Sequence, residues 1–275
     1  MRRPPFKLAL LGQPVAHSLS PRLMTELGCL ARRKAAYRPC TVAPERLAFA
    51  VGLLRTAGFV GANVTAPHKI SVIAHLDRLT PEARRIGAVN AVKMSRGKLV
   101  GHNTDAAGFA DALGEAGFSA KGCEALIFGA GGAARAVAFA LGRLKAREVS
   151  ICARRPQRAR ALARDMAALF PRTAFRSARP AAAELAVNAT PLGRFPHDRS
   201  PAPASWPGCQ LAFDLVYGRR TAFLRQAQGL GAQTIDGTSM LVFQALRSWE
   251  FWFGPLGAER RGLWKKRLMR KWTRP

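Results

Sequence analysis

Short apolar runs alternate along this chain with segments whose apolar residues recur at helical spacing. "KLALLG" (Lys7–Gly12), "YRPCTV" (Tyr37–Val42) and "GANVTA" (Gly61–Ala66) read as strands, with helices expected over Pro21–Arg33 and Pro44–Ala57. "NAVKM" and "KLVGHN" predict a hairpin about Ser95–Gly97, where "SRG" supplies the turn. A helix over Ala106–Ala116 leads into "EALIFGAGGAARAVAFAL", a buried strand, a Gly-rich turn and an Ala-rich helix. "EVSICA", a helix over Gln157–Phe170, "LAVNAT", "LAFDLV" and a last helix over Met240–Phe253 continue the alternation. Strands alternating with helices of this length predict an α/β fold with parallel sheet and right-handed crossovers. The Gly-rich turn starts a fresh nucleotide-type unit, so two lobes are expected, 1–105 and 106–237. The segment 238–257 is expected to return to the first lobe, with 258–275 as a basic extension, and Pro191–Pro207 is read as a surface excursion.

"FGAGGAARAVA" sets Gly129, Gly131 and Ala134 at G-x-G-x-x-A spacing between strand and helix. The first glycine permits the tight turn, the second lets backbone approach a pyrophosphate, and the small third residue allows close helix packing. With Ala130, Gly132 and Ala133, this loop is the expected dinucleotide contact. The following strand ends at Ala153, where an NAD site usually carries an acid for the ribose hydroxyls. Here "ARRPQR" offers Arg154, Arg155 and Arg158 instead, and guanidinium groups suit a 2′-phosphate, which favours NADP.

Four polar clusters fall at or just beyond the carboxyl ends of expected strands, where open α/β sheets bind ligands. They are "HSLSP" (His17–Pro21), "NVTAPHK" (Asn63–Lys69), "GAVNAV" (Gly87–Val92) and "GHNTDAAG" (Gly101–Gly108). Taken singly, each is as well read as loop capping, with Ser18, Ser20 or Asp105 at a helix start. Together they offer hydroxyls, an amine, an amide and a carboxylate, the equipment to hold a polyhydroxylated acid.

Composition narrows the field further. With 48% hydrophobic residues in 275, the chain can bury a sizeable core. The start, "MRRPPFKLALLG", has the basic residues of a secretory signal, but its apolar run is too short, and no membrane crossing is expected. Five scattered cysteines without a C-x-x-C pair suit reduced thiols in the cytoplasm, and neither they nor the five histidines have metal-ligand spacing. The net charge of +28 admits nucleic-acid binding, attraction to anionic substrates, or general arginine usage. The segment from Glu259 carries eight Lys/Arg and one Glu, yet the bias runs along the whole chain. Arginines distributed without interleaved stacking aromatics are weak evidence for a nucleic-acid site. Within the extension, Trp264, Leu268 and Trp272 recur every four residues, so it reads either as an amphipathic helix on a lobe or as a solvated tail.

The four clusters, the glycine loop, "NATPLG" (Asn188–Gly193), "DLVY" (Asp214–Tyr217) and "DGTSMLVFQA" (Asp236–Ala245) stand in the order found in shikimate dehydrogenases, and the chain resembles that family over residues 6–254. The resemblance implies a substrate lobe and a Rossmann-type NADP lobe with the active site in the cleft between them. It implies the NADP-linked interconversion of 3-dehydroshikimate and shikimate, by a monomer or homodimer. On that resemblance Lys69 and Asp105 are the catalytic pair. Ser18 and Ser20 hold the substrate carboxylate with Tyr217 nearby, and Thr65, Asn90 and Gln244 meet ring hydroxyls. Thr190, Leu215, Gly237 and Met240 join the cofactor contacts. Departures are Met24–Thr25 where the family commonly has His-Asn, a short Arg-rich loop after Tyr217, and "GTSM" for a more usual Gly-Leu-Gly-Met. A quinate/shikimate or aminoshikimate dehydrogenase shares most of these motifs and is the alternative within the enzyme class. A basic nucleic-acid-binding protein on a Rossmann scaffold is the alternative outside it.

Overall fold

The computed structural model describes residues 5–178, 182–194, 198–204, 206 and 208–272. The arginines at the start, parts of the Pro191–Pro207 loop and the last three residues lie outside them. The described residues up to Asp105, with those from Val242 onward, form one compact unit, and Ala106–Leu241 form another.

The first unit holds β1 (Phe6–Gly12), α1 (Ser20–Leu30), β2 (Ala35–Thr41), α2 (Leu47–Thr56), β3 (Phe59–Val64), β4 (Arg78–Leu79), α3 (Pro81–Ile86), β5 (Ala91–Ser95) and β6 (Lys98–His102). Its six-stranded sheet runs β2-β1-β3-β5-β6-β4. Alternation alone predicts parallel pairing, but this sheet is mixed. The β5–β6 hairpin enters it antiparallel to β3, while β1 pairs parallel with β2 and β3. The hairpin turns through Arg96 (φ 49°) and Gly97 (φ 73°), the left-handed pair that matches strand twist. Helix α1 stops at Leu30 and does not reach Arg33, because Arg32 turns left-handed (φ 51°) and the Arg33 amide bonds back to the Gly28 carbonyl. Leu11, Val51, Leu54, Val64, Val92 and Leu99 are among the residues that fill the core.

The second unit begins in α4 (Asp105–Glu115). It continues with β7 (Glu124–Phe128), α5 (Gly132–Arg143), β8 (Glu148–Cys152), α6 (Pro156–Leu169), β9 (Ala174–Ser177), β10 (Leu185–Asn188), β11 (Leu211–Asp214), α7 (Ala222–Gly229) and β12 (Gln233–Ile235). All five strand pairings are parallel, in the order β9-β8-β7-β10-β11-β12. Numbered from β7, that is the doubly wound Rossmann order, with its switch point between β7 and β10. The α/β class expected from the sequence, with a Rossmann-type second unit, is the one observed.

Helix α8 (Thr238–Phe253) crosses from one unit to the other, and its later turns pack in the first. Trp252 Nε1 donates to the Val92 carbonyl at 2.9 Å. That approach needs glycine at 61, where a Cβ would lie 2.3 Å from the same oxygen. Helix α9 (Ala258–Trp272) settles the two readings of the extension, since Leu268 is 0% and Trp264 5% exposed. Trp272 Nε1 and Lys271 Nζ also reach Glu26 on α1, at 3.0 and 3.1 Å. Leu268→Ala is therefore expected to cost about 2–5 kcal/mol of stability, the usual worth of a buried leucine. Urea unfolding measures it, and a loss within 0.5 kcal/mol (about the noise for surface positions) would mean the helix is not packed as described.

Candidate active site

In the first unit, strand ends and helix starts bring four of the expected residues together. Lys69 follows β3, in the segment that bends back so that the Val89 amide donates to the Lys69 carbonyl at 2.7 Å. Asp105 opens α4. Lys69 Nζ donates to Asp105 Oδ2 at 2.6 Å, with the two side chains 16% and 5% exposed. Asn90, just before β5, donates through Nδ2 to Asp105 Oδ1 at 2.8 Å and lies at 3.5 Å from Gln244 Oε1. Both oxygens of Asp105 are thus engaged, and the carboxylate and amine are fixed against each other in a mostly water-excluded place. Asp105 is not merely a capping residue, because its side-chain bonds go to Lys69 and Asn90.

Ser18, Ser20 and Thr65 belong to the same unit but make no hydrogen bond to this cluster among the described residues. The Ser20 amide donates to Ser18 Oγ at 3.2 Å, and Leu19, without a side-chain bond, caps α1. Thr65 is held by its amide on the Leu11 carbonyl at 2.8 Å. Its methyl sits where a Cβ on Gly12 would fall, 2.2 Å away. The "GQPVAHS" loop and the Thr65 turn therefore approach only because residue 12 is glycine.

A second layer of buried polar side chains stands behind these residues. Thr104 receives an Asn90 Nδ2 bond at 2.8 Å and returns its amide to Asn90 Oδ1 at 2.7 Å, fixing the orientation of that amide side chain. Ser248 on α8 bonds Thr104 at 3.0 Å and accepts from Asn63 Nδ2 at 3.1 Å. Asn63 in turn accepts from the Tyr37 hydroxyl at 2.9 Å. The chain Tyr37–Asn63–Ser248–Thr104–Asn90 is buried and mutually satisfied, which rigidifies what it holds. Ser248 carries no motif signal, because its partners are 144 and 185 residues away in sequence.

In the second unit, Gly129 leaves β7 at φ 113°, a conformation that disfavours a side chain, and a Cβ there would lie 2.9 Å from the Ala189 carbonyl oxygen. Gly131 caps α5, and a Cβ on it would meet no protein atom within 4 Å. Packing within the chain does not call for glycine there, and the open space lets a pyrophosphate approach the helix start. Ala130, Gly132 and Ala133 complete the turn, and Ala134 is fully buried beneath it. Arg154, Arg155 and Arg158 are exposed beyond the end of β8, with Arg155 at the start of α6. None of the three pairs with a carboxylate among the described residues. These features fit a dinucleotide with a 2′-phosphate.

Thr190 and Leu215 lie beyond β10 and β11, tied together by Asn188 and Asp214. Asn188 Oδ1 accepts from the Thr190 amide and hydroxyl, its Nδ2 donates to Asp214 Oδ1 at 2.9 Å, and its carbonyl accepts from the Leu215 amide. Gly237 passes so close that a Cβ would lie 2.5 Å from the Leu215 carbonyl oxygen. Met240 is buried on α8, and Tyr217 is half-buried in the second unit.

Burial pushes the Asp214 carboxyl up to about 6, against the pull of bonds from Thr221, Val216 and Asn188. Between about pH 4 and 6 the folded chain then holds a proton that the unfolded chain has released. Stability contributed by this group is full below that window and is lost as pH rises through it. Asp214→Asn removes the dependence. The wild type minus variant difference in unfolding free energy should fall by up to about 3 kcal/mol from pH 4 to 7. Taking the difference cancels His102, which burial and Arg247 pull down to about 4 and whose contribution has the opposite slope. A difference that does not change with pH would show that Asp214 ionises as freely in the fold as out of it.

Comparisons with known proteins point to one family. A family profile described as the shikimate dehydrogenase substrate binding domain matches residues 10–92. Shikimate dehydrogenase (NADP(+)) of Salinibacter ruber is 44% identical over 259 residues, 89% of this chain and 91% of that protein. The chain belongs to the shikimate dehydrogenase family. Shikimate 5-dehydrogenase of Thermus thermophilus, solved in complex with NADP(H) and shikimate, has a TM-score of 0.83 at 38% identity, covering 96% of this chain and 99% of that one. The Listeria monocytogenes enzyme of the family, solved with shikimate and NAD, has a TM-score of 0.80 at 28% identity, covering 96% of both. The family fold thus accompanies either dinucleotide. No helix among the described residues is long and apolar enough to cross a membrane.

Proposed function

We propose that this chain is an NADP-dependent shikimate dehydrogenase, interconverting 3-dehydroshikimate and shikimate. The observation that carries the reading is the Lys69–Asp105 pair at 2.6 Å, beside Asn90, within a member of this family. NADP, held by the 129–133 turn, Arg154, Arg155, Arg158, Thr190, Leu215, Gly237 and Met240, supplies hydride chemistry when bound. Reduction of a ketone leaves charge on its oxygen, and Lys69 stands as the proton donor there. In the oxidative direction the same amine takes the proton, so that direction gains from higher pH. Asp105 orients Lys69 and accepts from an adjacent ring hydroxyl, and Asn90, Thr65 and Gln244 bind the other hydroxyls. Ser18 and Ser20 hold the carboxylate, with Tyr217 near it. Burial pushes the Cys123 thiol up to about 11 and raises Cys40, Cys152 and Cys209 as well. Thiols raised in this way are poorly placed to act as nucleophiles, and the proposed chemistry uses none of them.

The direct test is NADPH formation, followed by its absorbance, with shikimate and separately with quinate. Turnover on shikimate supports the reading; turnover on quinate alone would sink it. Ser18→Ala with Ser20→Ala is expected to raise the Michaelis constant for shikimate about tenfold or more with little change in turnover, since a carboxylate contact is made equally in ground and transition states. A loss confined to turnover would contradict their role.

A further inference from the structure

We propose that a second pocket in the first unit, formed by the end of α1, the end of α8 and the start of α9, binds a small aromatic carboxylate. The cavity measures about 450 Å³, in the range of small-molecule sites. One side is aromatic: Trp249 lies 4.5 Å, centroid to centroid, from Phe253 and 6.4 Å from Trp264. The other is cationic, from Arg32, Arg33 and Arg260. The Arg33 guanidinium stands 5.4 Å from the Phe6 ring centre and 5.3 Å from that of Phe253. Ring faces hold its plane while its N–H edges stay available, an arrangement pre-organised to fork onto a carboxylate. None of the three guanidinium groups pairs with or donates to a described residue. The nearby Glu250 carboxylate is already taken by Arg261 and the Leu256 amide. Free forks beside Phe253, the partly exposed ring of the lining, suit a planar ring bearing a carboxylate, and a volume of this size holds one small molecule.

This pocket shares no residue with the Lys69–Asp105 cluster, although Trp249 directly follows Ser248 of the network behind it. The neighbouring basic cavity, with Arg267, Arg270 and Lys271, includes Glu26, which already pairs with Lys271. It lacks the aromatic lining.

Calorimetric titration of the whole chain with naphthalene-2-carboxylate, in the presence of shikimate and NADP, tests the proposal. Naphthalene-2-carboxamide serves as the uncharged control. Saturable binding is expected, with the carboxylate about tenfold or more tighter than the amide, as a charge-assisted bond requires. Arg33→Gln and Arg260→Gln should each weaken it about tenfold or more, and Arg33→Lys by less. Turnover with shikimate should stay at the wild-type value in all three variants, which also shows that they fold. Displacement by shikimate, equal affinity for the amide, indifference to the substitutions, or no saturable binding at millimolar probe would each overturn the proposal. Titrating shikimate by itself reports separately on the active-site reading.

Discussion

Lys69→Ala should cut turnover by about two to four orders of magnitude, the usual worth of a positioned proton donor, while shikimate binding changes little. The expectation rests on position. The amine is 2.6 Å from a buried carboxylate and largely screened from water, so bulk solvent is poorly placed to replace it. The turn that carries residue 69 should persist in the variant, because the backbone bond from Val89 to the residue 69 carbonyl does not depend on the side chain. Asp105→Asn should slow turnover too and weaken binding more, since Asp105 holds Lys69, receives Asn90 and is proposed to meet substrate. Steady-state kinetics on shikimate separate the two effects. If Lys69→Ala turns over near the wild-type rate, the proton donor lies elsewhere.

The lysine was legible as the amine of a polar cluster just beyond an expected strand. Asn90 and Asp105 were legible because polar residues recur just where strands stop. What escaped notice had a physical reason in each case. Ser248 sits in the buried, aromatic-rich α8 and reads as a small core residue; only folding places it between Asn63 and Thr104. Strand β4 has two residues, too few for any period, and α3 has six. Strand β9 is mostly exposed and lies at a sheet edge, so it lacks the apolar run that marked its neighbours. The mixed pairing of the first sheet follows from a hairpin that was visible, but its consequence for strand direction was not. Helix α9 illustrates the opposite limit. Its four-residue spacing was plain, but burial of Leu268 and Trp264 depended on α8 and α1 presenting Trp249 and Glu26 to that helix.

The dinucleotide preference is the second large effect, and it rests on three side chains. Strand β8 ends without an acid at Ala153, and Arg154, Arg155 and Arg158 stand exposed beyond it with no carboxylate partner among the described residues. A 2′-phosphate carries close to two negative charges, and an arginine bond to such a group is typically worth about 1.5–3 kcal/mol. Two such bonds should favour NADP over NAD by about two or more orders of magnitude in kcat/KM, each 1.4 kcal/mol being about tenfold. Arg154→Ala with Arg155→Ala should erase most of that preference while turnover at saturating cofactor stays near the wild-type rate, because neither residue belongs to the Lys69 cluster. Adding Ala153→Asp should then turn the preference toward NAD, by accepting the ribose hydroxyls and repelling phosphate. The comparison is made by measuring kcat/KM for both dinucleotides on the unaltered chain and the two variants. Equal values in the unaltered chain would mean that the guanidinium groups do not reach the 2′ position, and with NAD found on a relative of the same fold, weight would move to the quinate/shikimate alternative.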